Sequence, residues 1–146
     1  MKYGAHYQYK KRQVEGVDQG TLIIMLYDGA IKFLSLAVEA IEVNEVEDSH
    51  NNIVRGQAII NELMNSLKVD VGEIAVNLLR LYEFMERQLA EANAKKDPNL
   101  IVSVIDLLVS LREGWVEIIV KLKKESPSNK EEQDAEKSTK PINVAV

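Results

Sequence analysis

Cysteine is absent from this 146-residue chain. That excludes a disulfide scaffold, a thiol nucleophile and a thiolate metal site, and it fits a reducing compartment. Proline occurs only three times, and no Asn-Gly or Asp-Gly turn separates two alternating runs, so strands and hairpins have little support. Asp28-Gly29 does occur, but within an uninterrupted apolar pattern, and it reads as helix interior. A Gly-rich phosphate loop, a Gly-x-Ser-x-Gly elbow and a His-Glu-x-x-His pair are all missing. Basic charge is in deficit, with 18 Lys and Arg against 23 Asp and Glu for a net charge of −5, which argues against sequence-independent binding to nucleic acid. The basic clusters Lys10-Lys11-Arg12 and Lys121 to Lys124 are small and flanked by acids.

No apolar stretch of signal-peptide length occupies Met1 to Gln13. The most apolar run, Leu100 to Leu122, contains Asp106, Arg112, Glu113 and Glu117. Each would cost about 2.5–3.5 kcal/mol at the centre of a bilayer, so membrane insertion is not expected and the expected location is the cytoplasm.

Apolar residues make up 46 % of the chain, enough for one buried core. The pattern predicts an all-α fold, an antiparallel up-down-up-down four-helix bundle with an N-terminal cap segment and a disordered C-terminal tail. The segments are 1–17 (cap), 18–125 (bundle) and 126–146 (tail). Helix one is expected from about Asp18, as N-cap, to Val43, and helix two from Asp48 or Ser49 to Lys68. Helix three is expected to start with a capping box, Asp70 as the cap and Glu73 reaching back, and to run to Asn93. Asp97-Pro98 marks the start of helix four, since proline is tolerated at a first helical position. Short connections between the helices make neighbours antiparallel.

Helices two and three are ordinary amphipathic helices. Ile53, Ile60, Leu63 and Leu67 form one apolar stripe, and Ile74, Leu78, Leu81, Tyr82, Met85 and Leu89 form the other. Helices one and four differ. Their polar residues are confined to thin stripes, Asp28, Lys32, Ser35, Glu39 and Glu42 in one and Ser103, Asp106, Ser110, Glu113, Glu117 and Lys121 in the other. The rest is apolar, more than a bundle core requires, and an exposed apolar surface of this kind marks either a partner site or self-association. Tyr3, Tyr7, Tyr9 and Val14 in the leader could fold back over such a surface, or belong to a frayed terminus.

Glu47-Asp48-Ser49-His50 reads as Glu-x-x-His, but di-iron bundles need two such motifs in mid-helix plus two more glutamates, so no metal or cofactor is expected. Gly29 costs roughly 1 kcal/mol in a helix interior, which points to a close neighbour there.

The segment TLIIMLYDGAIKFL, Thr21 to Leu34, resembles the FliS family, the flagellin export chaperones, at its Leu-Tyr-Asp-Gly-Ala-Ile core. QVEG (Gln13 to Gly16), NIVRGQAIINELMNSL (Asn52 to Leu67), GEIAVNLLRLYEFMERQLAEAN (Gly72 to Asn93) and LLVSLREGW (Leu107 to Trp115) resemble further family landmarks in order. Two departures are Val17-Asp18-Gln19-Gly20, where the family has Ser or Thr followed by Pro, and a longer tail. The resemblance implies a cytosolic, non-enzymatic bundle whose partner is the C-terminal segment of flagellin. That segment would fold into apolar grooves, be kept from premature polymerisation and be presented to the flagellar export gate.

Carried over, the resemblance makes Tyr7, Tyr9 and Val14 the cover, Tyr27, Ile31, Leu34 and Val38 the outer face of helix one, and Asn52, Ala58 and Leu63 the contribution of helix two. An anti-sigma factor, a co-chaperone or a homodimer are further partners to consider. The competing readings are a self-associating helical scaffold, which light scattering would reveal, and a ferritin-like oxidase, which metal analysis would reveal.

Overall fold

The computed structural model describes residues 19–68 and 72–125. They form four helices, α1 (Gln19–Glu42), α2 (Val46–Ser66), α3 (Glu73–Lys95) and α4 (Pro98–Glu125), and no strand among the described residues. The expected cap segment and the tail from Ser126 lie outside these residues.

Two compact units divide the chain, Met25–Arg112 and the pair of segments Met1–Ile24 with Glu113–Val146. The first holds the four-helix bundle. Its register can be read from contacts between helices. A Cβ built on Gly29 would lie 3.1 Å from Ile59 Cδ1, and one on Gly56 would lie 2.6 Å from Leu34 Cδ2, so α1 and α2 pair antiparallel. His50 near the start of α2 bonds Asn93 near the end of α3 (2.9 Å), which makes that pair antiparallel as well, and Asp28 of α1 meets Arg112 of α4 (2.5 Å). Tyr27 and Tyr82 join α1 to α3 through their hydroxyls inside the core. In the second unit, a Cβ on Gly20 would come within 2.7 Å of the Ile119 side chain, so the beginning of α1 and the end of α4 also pack closely.

The α1–α2 and α3–α4 turns close in the same way. Asn44 (φ 60) and Lys96 (φ 53) take left-handed backbone after α1 and α3. The amide of Glu45 then donates to the Ala40 carbonyl (2.8 Å), and that of Asp97 to the Ala92 carbonyl (3.1 Å), satisfying end carbonyls the helices leave unpaired. Pro98 opens α4 as expected, with Asp97 Oδ1 accepting from the Asn99 amide at 2.9 Å.

Other helix starts differ from expectation. Helix α2 begins at Val46 with Glu45 at the cap position, its side chain making no capping bond to the first-turn amides. At α3 the capping residue is Gly72, also without a side-chain bond, so Glu73 is the first helical residue and not the reaching partner of a capping box; Asp70 lies outside the described residues. Gly72 has φ 151, a conformation that favours glycine, and it sets the entry angle of the chain.

The expected stripes of α2 and α3 are buried at Ile53, Ile60, Leu63, Leu78, Tyr82, Met85 and Leu89. Leu81 is only half-buried, Leu67 is half-buried just past the end of α2, and Ile74 is 79 % exposed in the first turn of α3, one turn before the packed stripe begins at Leu78. Ser49 and Gly56 complete the buried stripe of α2. Ser49 enters a core because its hydroxyl bonds the Val46 carbonyl at 2.8 Å.

Candidate apolar surface

The distinctive element is α1. Its buried face consists of Tyr27, Ala30, Leu34, Ala37 and Ala40, three of which are alanines. Both polar stripes foreseen for α1 and α4 are exposed at every position. That leaves large aliphatic residues of α1, and Val43 just after its last turn, without a place in the core. Met25 is 61 % exposed, Leu36 39 % and Val43 65 %. Met25, Leu36 and Val43 recur after eleven and then seven residues, close to whole helical turns, so they share one side of the helix. Gly29 lies between the first two, one turn from Met25, and Ile59 of α2 reaches over it. Phe33 is half-buried on the same seam, with the Arg55 guanidinium 5.7 Å from its ring centre and Lys32 at 5.9 Å. On α4, Val102 and Val109 are exposed seven residues apart.

The residues assigned from the sequence fall into three groups. Tyr27, Leu34 and Leu63 are fully buried, so they form the core and not an outer face. Tyr27 can be core because Tyr82 meets its hydroxyl, and Leu34 because Gly56 leaves room for it. Ile31, Val38 and Asn52 are half-buried, and Ala58 is exposed. Asn52 donates to the Asp48 carbonyl at 2.9 Å, while its Oδ1 is enclosed with no hydrogen-bond partner. Tyr7, Tyr9 and Val14 lie outside the described residues. Sequence reasoning missed Met25 and Leu36 as the most exposed apolar residues of α1, and Val43 directly after it. The signal that could have found them is the alternation of alanine at Ala30, Ala37 and Ala40, which marks the close-packed side.

Charge around the bundle is sparse and local. Asp28 and Arg112 form an exposed ion pair, Nε to Oδ1 at 2.5 Å and Nη2 to Oδ2 at 3.4 Å. Its carboxylate belongs to the polar stripe of α1. Glu86 on α3 has its carboxyl raised above the usual range by burial, and its Oε1 is enclosed without a hydrogen-bond partner. Glu45 is raised by a side-chain hydrogen bond with Asp48 and by that residue's charge. No group of three or more His, Asp or Glu able to hold a metal occurs among the described residues. His50, the histidine of Glu-x-x-His, engages Asn93 instead. By length and composition α1 could cross a membrane, a test that the core helices of soluble bundles also pass.

A family model described as flagellar protein FliS matches residues 2–122. The chain is 32 % identical over 111 residues to the flagellar secretion chaperone FliS of Bacillus subtilis, covering 76 % of this chain and 83 % of that protein. It is 37 % identical over 105 residues to the FliS of Salmonella typhimurium, covering 66 % and 73 %. To the flagellar secretion chaperone FliSB of Pseudomonas aeruginosa the identity is 35 % over 104 residues, covering 70 % and 82 %.

Proposed function

Because this chain belongs to the FliS family of flagellar secretion chaperones, we propose that it binds the C-terminal segment of flagellin in the cytoplasm and keeps it from polymerising before export. The observation that carries this reading is the make-up of α1, where alanine takes three of the five buried positions while Met25 and Leu36 stay exposed. Burying a side chain such as Leu or Met is worth about 1.5–3 kcal/mol, and a stand-alone bundle would place such residues in its core. A partner that covers Met25, Leu36 and Val43 recovers that free energy. An amphipathic segment that folds on contact suits a helical seam of this kind.

The role requires no reaction chemistry. Binding removes apolar residues of the cargo from water and from each other, and the ordering cost, about 2–5 kcal/mol or more, is offset by the breadth of the surface. Half-buried Ile31 and Val38 are the residues of the sequence-based assignment on α1 that remain available as partial contacts.

Calorimetric titration with a peptide of the cognate flagellin C-terminal segment tests the reading. A one-to-one complex with negative heat-capacity change is expected. Met25→Glu with Leu36→Glu is expected to weaken it about tenfold or more, or 1.4 kcal/mol, while the helical circular-dichroism signal stays intact. Unchanged affinity in that variant would remove α1 from the site. No binding by the folded wild-type chain would remove flagellin as the cargo.

A further inference from the structure

Helix α4 changes character along its length. Among the described residues every buried side chain, from Tyr27 to Leu108, belongs to the unit Met25–Arg112. The other unit contributes residues 19–24 and 113–125. There Leu22, Ile118, Val120 and Leu122 are exposed, and Trp115 and Ile119 are only half-buried. Segments with few buried apolar contacts lie at the low end of local stability.

Gly114 stands at the boundary, two residues after Arg112, whose guanidinium holds Asp28 of α1 at 2.5 Å. Glycine within a helix weakens it relative to alanine, and close packing offsets this at the other helical glycines. Ile119 lies against Gly20, Ile59 against Gly29 and Leu34 against Gly56. A Cβ on Gly114 would meet nothing within 4 Å among the described residues. Packing therefore gives no reason for glycine at 114, and its effect there is a weak point in the helix. Beyond it α4 continues to Glu125, about three turns. Helices shorter than about 12–15 residues are marginal in water without packing, so this stretch unwinds once released.

We propose that Gly114 is a breakpoint: the end of α4 from Gly114 to Glu125 unwinds as one unit, together with the start of α1, while the bundle from Met25 to Arg112 stays folded. The link to α1 is Ile119, whose side chain would lie 2.7 Å from a Cβ on Gly20, closer than such an atom allows. When the end of α4 unwinds, residues 19–24 lose that cover. Opening bares Trp115 and Ile119 and leaves the buried core untouched. Ordinary fraying has another form, loosening the last turn most and fading inward, whereas a breakpoint gives the whole stretch one opening equilibrium.

Native-state amide hydrogen exchange on the full chain without cargo tests this. Val116 to Lys121 are expected to share one protection level with Ile23 and Ile24, at least tenfold below that of Ile101 to Leu108. Gly114→Ala is expected to raise protection of Val116 to Lys121 uniformly, by about two- to fivefold. Fraying would leave the residues far from 114 unaffected by that change. Ile119→Ala is expected to lower protection of both stretches several-fold and by the same factor. The proposal is overturned by a smooth gradient of protection towards Glu125, by protection equal to that of Ile101 to Leu108, or by a Gly114→Ala effect confined to the adjacent residues. It is equally overturned if Ile23 and Ile24 do not follow the end of α4.

Discussion

The Tyr27 hydroxyl meets the Tyr82 hydroxyl inside the bundle, fifty-five residues apart in the chain. The two rings are among the largest fully buried side chains, and each brings a polar atom into the core. A buried hydrogen bond of this kind contributes about 0.5–1.5 kcal/mol net, and its loss costs more when a polar atom stays behind. Tyr27→Phe and Tyr82→Phe are each expected to lose about 1–2 kcal/mol in urea unfolding. The double variant is expected to lose less than the sum, by about 0.5–1.5 kcal/mol, because both substitutions break the same contact. Strict additivity would show that the hydroxyls act separately.

Two glycines should respond to alanine in opposite directions. At Gly56 a Cβ would come within 2.6 Å of Leu34 Cδ2 and 2.9 Å of its Cγ, both within the packed core. Alanine adds helix propensity of roughly 1 kcal/mol but forces Leu34 aside, and Gly56→Ala is expected to destabilise by a net 1–3 kcal/mol. At Gly114, exposed within α4, nothing lies within 4 Å. Gly114→Ala is expected to stabilise by about 0.5–1 kcal/mol, read as a higher midpoint in the same urea titration.

Lys96 holds a left-handed backbone with φ 53, a conformation that costs a residue with a Cβ about 1–2 kcal/mol. Its ammonium bonds Asn93 Oδ1 at 2.5 Å, which returns part of that cost. Lys96→Gly is therefore expected to raise stability by a net 0.5–1 kcal/mol or so, measured by thermal unfolding.

Glu86 gives a pH dependence of known sign. Burial raises its folded-state value above the ordinary 4.5, so the folded state favours the protonated form. Its contribution is unfavourable at neutral pH, and that penalty fades as pH falls through the folded value towards 4.5. Glu86→Gln is expected to be more stable than the wild type at pH 7 and to lose this advantage near pH 4. An advantage that grows on acidification would reverse the assignment.

Much of the architecture was legible in the sequence because helical periodicity and punctuation speak locally. The polar stripes of α1 and α4, the Asp97-Pro98 start and the close neighbour of Gly29 all followed from residues within a few turns. Partition of α1 into core and surface did not follow, because both sides are apolar. Tyr27 and Leu34 turn inward on account of Tyr82 and Gly56, residues distant in the chain whose effect no local pattern carries. The same limit hid the roles of Met25 and Leu36. The start of α3 was misjudged for another reason: acid-to-acid spacing suggested a side-chain cap, whereas glycine at 72 provides the turn through backbone freedom alone.

The alanine side of α1 has a consequence for the chaperone's own lifetime. A ligand that binds only the folded chain stabilises it by RT ln(1 + [L]/Kd), about 2.7 kcal/mol at a hundredfold excess over Kd. With its bulky aliphatic residues in water, the empty chain forgoes that stabilisation and opens more often to proteases. Its abundance then follows the supply of its export cargo: molecules with cargo bound persist, and unoccupied ones are the first to be cleared.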